Sequence, residues 1–265
     1  MNDVIPCERS PHAPPKNSAF RTLARNALMS VIVIVASPVL LACAVVYRNY
    51  TYQHFIKVSK PTIQDNSLYK NEQKARQILA NQPNLSLFKH AAEFQVREGY
   101  CAPTTGHMIL NSMPNTSVDF SSDKIQFGPA VCAKLAARID EIAFSIGTKT
   151  FSTVVYGSEG FHAFTQALEK VNDPRYRVSV NFVRGPLFGK PFPQFLLPHN
   201  LLIAFIGGHF SPIVGYDPQE QIVAVFDVNE EYGLFLVDAK RLFDAVDTYD
   251  IQSKKSRGLI VTDLR

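Results

Sequence analysis

The sequence predicts an α+β domain in which helices come first and antiparallel strands follow. Three observations carry this. Apolar residues at helical spacing dominate up to about residue 171, short runs rich in Val, Ile and Phe dominate after it, and no internal repeat is present. Such an order packs a helical layer on a sheet, with a cleft where the two meet.

Each element has its own signal. Ala75, Ile78 and Leu79 among Lys, Glu, Gln and Arg predict a helix over about Tyr69–Ala80, ended before Pro83. Helical spacing returns at Cys101–Met113, at Pro129–Ile146 and at Glu159–Val171, the last with Ser158 placed as its cap. Strands follow at Tyr176–Val183, Leu201–Ile206, Phe210–Tyr216, Ile222–Phe226 and Leu234–Val237, separated by Gly, Pro, Asp and Asn. Asp238 then caps a short helix to about Val246, and Gly258–Thr262 returns as a strand.

The N-terminal part reads differently. Residues 1–26, with Pro11, Pro14 and Pro15, read as a disordered tail, 27–47 as an anchor or signal segment, 48–66 as a polar linker and 67–265 as the globular domain. No residue from Ala27 to Tyr47 is charged, which suffices for a span of about 20 residues. Arg9, Lys16, Arg21 and Arg25 before it favour a cytoplasmic N-terminus and a domain outside the cytoplasm, periplasmic in a Gram-negative cell. A lipoprotein acylated at Cys43 of Leu40-Leu-Ala-Cys43 stays open, as do a cleaved signal peptide and a buried core helix.

Net charge is only +4, with no basic block and no zinc-type cysteine pairs, so nucleic acid and a structural metal are not indicated. A small molecule or peptide fits better. Cys7 lies in the tail and Cys43 in the apolar stretch, which leaves Cys101 and Cys132 in the domain. Cys132 falls in line with Leu135, Ile139 and Ile142 on one helical face and reads as a small buried residue.

Cys101 is the candidate nucleophile. In Gln95-Val-Arg-Glu-Gly-Tyr-Cys101 a loop gives way to a helix, whose unpaired amides and dipole favour thiolate over thiol. His209 follows two glycines and opens an apolar strand, a rigid seat for a base; His107, His162 and His199 compete with it. Asp227 closes the next strand and would orient the imidazole, with Asn229 as a fallback. Gln95, six residues before Cys101, is placed to share an oxyanion hole with the Cys101 amide.

These residues resemble the phytochelatin synthase family, papain-like enzymes that act on glutathione. The resemblance rests on Gln95 and Cys101, Asn111-Ser112, Gly208-His-Phe-Ser-Pro-Ile-Val-Gly-Tyr216, Phe226-Asp-Val and Ser256-Arg-Gly258, and spans about Phe88 to Val261. The chain departs from the family at Ala102, where a glycine is usual, and carries no Cys-rich C-terminal region, as in the short prokaryotic forms. The resemblance implies a papain-like fold with Cys101, His209, Asp227 and Gln95 as the catalytic set. It further implies cleavage of the Cys–Gly bond of glutathione through a thioester on Cys101, followed by hydrolysis or by transfer towards phytochelatin. Glutathione carries two carboxylates, for which Arg257 and then Arg184 are the candidate partners, with Gly208 binding through its backbone. No cofactor is required; cadmium or zinc would enter as a glutathione thiolate complex, and a homodimer is left open. A papain-fold peptidase or amidase with another substrate, and an inactive membrane-tethered binding module, are the alternatives.

Overall fold

The computed structural model describes residues 61–114, 116, 130–189, 208–250 and 252–265, with helical positions 26–27, 30–31, 37–38, 40–41 and 43–44. The chain divides into two compact units, Met1–Thr51 and Tyr52–Arg265. Among the described residues no helix is long and apolar enough to cross a membrane. Most of the expected anchor 27–47, the expected strand Leu201–Ile206 and His199 lie outside the described residues.

The first described element of the second unit is a 3-10 turn, Ile63–Asp65, whose Ile63 is buried. Helices α1 (Glu72–Ala80), α2 (Leu85–Ala91), α3 (Cys101–Asn111) and α4 (Cys132–Ser145) follow. Then come β1 (Thr150–Tyr156), α5 (Phe161–Glu169), β2 (Tyr176–Val183) and the short α6 (Arg184–Phe188). The chain continues through β3 (Gly208–Asp217), β4 (Ile222–Phe226), β5 (Leu234–Asp238) and α7 (Ala239–Val246) to a small pair, β6 (Tyr249–Asp250) and β7 (Lys255–Ser256), and ends in β8 (Gly258–Leu264). A six-stranded sheet runs in the order β1-β8-β2-β3-β4-β5, antiparallel at every step.

The α+β expectation holds, but the sheet is covered on both faces and the layers number three instead of two. On one face Val178, Val180, Phe182, Val223, Val225 and Val261 pack with Phe164 and Leu168 of α5 and Leu242 and Val246 of α7. On the other, Phe210, Val214, Ala224, Leu236 and Ile260 pack with Ile78 of α1, Ile109 and Leu110 of α3 and Leu135 and Ile139 of α4. The cause lies in the central strands. Every residue of β3 from His209 to Tyr216 is buried, and a strand apolar on both alternating sets must be covered twice.

A bulge between Ile213 and Gly215 shifts the β3–β4 register, which lets Ile213 and Tyr216 share one core although they are three residues apart. Gly215 is where α1 crosses most closely: a Cβ there would stand 2.8 Å from Ile78 Cγ2. The expected Ser158 cap is displaced. Glu159 accepts the Tyr156 amide at 2.7 Å, holding 157–159 in a 3-10 turn, and Gly160, at φ +95°, becomes the N-cap of α5.

Candidate active site

Cys101 is the first residue of α3, set after Gly99 at φ +87° and the N-cap Tyr100. The helix is buried along Ala102–Leu110, so its N-terminus is fixed by packing. His209 stands at the start of β3, its ring edge-on to Phe182 at 5.4 Å. Asp227 follows β4 and is pinned through its amide to Gly233 O at 2.9 Å. The three therefore meet at one end of the sheet, where α3 and β3 begin and β4 stops.

His209 Nε2 donates to Asp227 Oδ1 at 2.6 Å, inside a site where both side chains are buried. The His209 ring also shares a hydrogen bond with the Cys101 thiol, and its Nδ1 has Arg184 Nη2 3.2 Å away. Burial alone would drive His209 towards the neutral form. The Asp227 and Cys101 contacts outweigh it and raise the imidazole to about 9. Burial likewise pushes the Cys101 thiol up, but the His209 hydrogen bond and charge, the Phe210 amide and the Arg184 charge leave it below its ordinary value. The two shifts favour the same state, a thiolate facing an imidazolium.

The Gln95 amide donates at 2.8 Å to the carbonyl of Val228, the residue that follows Asp227. The Gln95 side-chain Oε1 is buried without a hydrogen-bond partner among the described residues. Asn229 is not the orienter: its amide donates to Asp227 Oδ1 at 2.8 Å while its side chain turns to Glu98. Among the described competitors, buried His107 pairs with Glu93 at 3.0 Å and His162 is exposed.

The two candidate arginines have different surroundings. Arg257, ranked first, is 3 % exposed and donates to Tyr249 O at 2.8 Å and Thr248 Oγ1 at 3.2 Å. Gly208 leaves room beside it, for a Cβ there would lie 3.3 Å from Arg257 Nε and 3.4 Å from Asn181 Oδ1. Arg184, ranked second, stands beside the histidine, with Nη2 3.2 Å from His209 Nδ1. Sequence reasoning missed Glu98, whose Oε1 stands 3.7 Å from Arg184 Nη1, and the Phe210 amide at the thiol. The second was readable from its place next to His209; nothing in the sequence linked Glu98 to Arg184.

Cys101 and Cys132 are both free thiols. Among the described residues no group of three or more His, Cys, Asp or Glu is arranged to hold a metal ion. No curated protein matches the chain. The family model of phytochelatin synthase matches residues 201–259, the segment that carries Gly208, His209, Asp227 and Arg257, so this part of the chain is similar to that family.

Proposed function

We propose that the chain is a thiol acyltransferase or hydrolase of papain-like architecture that cleaves the Cys–Gly bond of glutathione. The observation that carries this is the buried relay from Asp227 through His209 to a thiol held below its ordinary value, next to a segment matching the phytochelatin synthase family. Cys101 sulfur attacks the carbonyl between cysteine and glycine, forming a C–S bond. The Cys101 amide and the Gln95 side-chain amide receive the developing oxyanion, a contact whose loss costs roughly 3 kcal/mol of barrier. Protonated His209 gives its proton to the glycine nitrogen as the C–N bond breaks, leaving a γ-glutamylcysteinyl thioester and neutral imidazole.

In the second half-reaction His209 takes a proton from water, whose oxygen displaces the sulfur and yields γ-glutamylcysteine. An amine of a second glutathione, deprotonated in the same way, would yield phytochelatin. Hydrolysis is the outcome we favour. Arg184 and Arg257 are the proposed partners of the substrate carboxylates, with the Gly208 backbone alongside. Cadmium or zinc would act as part of the substrate, bound to its thiolate. The uncharged stretch 27–47 is the proposed tether that holds the enzyme outside the cytoplasm.

Product analysis tests the reading. The full-length chain incubated with glutathione, with and without zinc or cadmium, is expected to release glycine and γ-glutamylcysteine and to pass through a Cys101 adduct visible by intact mass. An adduct with unrelated peptides and none with glutathione would make it a peptidase or amidase of another substrate. Absence of any adduct, with slow alkylation of Cys101 at neutral pH, would make it a binding module.

A further inference from the structure

We infer that Glu98 is a specificity-determining residue: it occupies the anion subsite that Arg184 forms beside Cys101 and gives way to the substrate's own carboxylate. This rests on the thiol-enzyme reading above and names the class of substrate, a peptide whose leaving group is an amino acid with a free carboxylate.

The Arg184 guanidinium spans two neighbours. Nη2 lies 3.2 Å from His209 Nδ1, Nη1 lies 3.7 Å from Glu98 Oε1, and the Tyr232 ring sits 5.3 Å from its centre. Nε is buried and has no hydrogen-bond partner among the described residues. A cation placed against the reacting pair thus has donor capacity that its present carboxylate does not use. At 3.7 Å the Glu98 contact is an ion pair without a hydrogen bond, and the Glu98 side chain is 77 % exposed. Its other contact is Asn229 Nδ2 at 3.3 Å. Exposed pairs of this kind contribute little, whereas a carboxylate gripping a guanidinium by two parallel bonds is held firmly. Exchange of Glu98 for such a ligand is therefore downhill, and Glu98 moves into solvent.

Position fixes the kind of ligand. His209 must deliver its proton to the leaving nitrogen, and the subsite lies one guanidinium width from the His209 ring. In an α-amino acid the nitrogen and the carboxylate are separated by one carbon, so a leaving amino acid reaches both at once. A substrate with an amide or ester in place of that carboxylate gains nothing from Arg184.

Alkylation of Cys101 tests this without reference to turnover. Iodoacetate and iodoacetamide both lose iodide as the thiolate forms an S–C bond, and differ in carrying a carboxylate or a neutral amide. The ratio of their rates, followed by intact mass on the full-length chain, isolates the anion subsite from changes in the thiolate. Glu98→Gln is expected to raise the ratio about two- to fivefold. Arg184→Gln is expected to lower it, Arg184→Lys to retain part of it, and Glu98→Gln added to Arg184→Gln to change nothing further. An unchanged ratio in Glu98→Gln overturns the inference, as does an equal effect of that substitution with and without Arg184, which would make Glu98 a remote charge only. Failure of iodoacetamide to modify wild-type Cys101 overturns the inference and the enzyme reading together. The expected pattern without glycine release from glutathione would remove glutathione and leave the subsite standing.

Discussion

Two cysteines, Cys101 partly buried and Cys132 buried, each the first residue of a helix, have opposite chemistry in this molecule. Cys101 opens α3 and is held below the ordinary thiol value, while Cys132 opens α4 and is pushed up to about 12. The helix dipole and burial act on both. What differs is the balance around the sulfur: His209, the Phe210 amide and Arg184 overcome burial at Cys101, whereas at Cys132 desolvation outweighs the Gly258 backbone contact and the Arg257 charge. A helix N-terminus is therefore insufficient to make a nucleophile, and the argument that singled out Cys101 by its place on a helix applies equally to an inert thiol. The imidazole decides.

Removing each sulfur gives the widest separation. Cys101→Ala is expected to lower glycine release from glutathione by at least about a thousandfold, with unfolding monitored in parallel to show that the fold survives. Asp227→Ala is expected to cost about a hundredfold or more, because His209 loses the partner that holds its proton. The same variant should move the alkaline limb of the pH–rate profile down from about 9, which a change in packing alone would not do. In the wild type, iodoacetamide modification of Cys101 should begin below the ordinary thiol value of 9.0, with turnover falling as pH rises through about 9 and the imidazolium is lost.

Stability follows the same proton. His209 rises from 6.5 to about 9 on folding, so its contribution is complete below about 6.5 and disappears as pH rises through about 9. Denaturation midpoints of wild type and Asp227→Ala across that window should converge at the alkaline end. Cys132→Ala has the smallest expected effect, about 1 kcal/mol of stability by urea denaturation with turnover retained. Loss of turnover there would break the contrast between the two thiols.

Much of the fold was legible because its strands carry local signals. The β-branched runs of β2 and β4 are bounded by turn residues, and their limits match the structure to the residue. Asp238 caps α7 as its position implied, accepting the Arg241 amide at 3.1 Å. β1 escaped because an edge strand of Thr and Ser alternating with exposed residues offers no buried run to read. The second helical layer escaped because order along the chain does not say which face a helix covers.

At the site, the order Cys, His, Asp was legible and so was the pairing of the last two, since a short turn joins their strands. The environment of the arginines was not. Arg257 sits in Ser256-Arg-Gly258 as the sequence resemblance singles out, yet its burial depends on the distant carbonyls of residues 248 and 249. Arg184 meets His209 only because β2 pairs with β3 so that Phe182 stands opposite His209, a register set by the whole sheet.

Among the described residues, both outer strands of the six-stranded sheet carry contacts on their open edges. Ser152 N donates to Asp140 Oδ2 at 2.8 Å and Tyr156 N to Glu159 Oε1 at 2.7 Å, so carboxylates already occupy outward amides of β1. At the far side, Leu236 N donates to Tyr69 O at 3.0 Å and Lys70 Nζ to Leu234 O at 2.8 Å. A neighbouring chain seeking to extend the ladder would have to evict one of these plugs first.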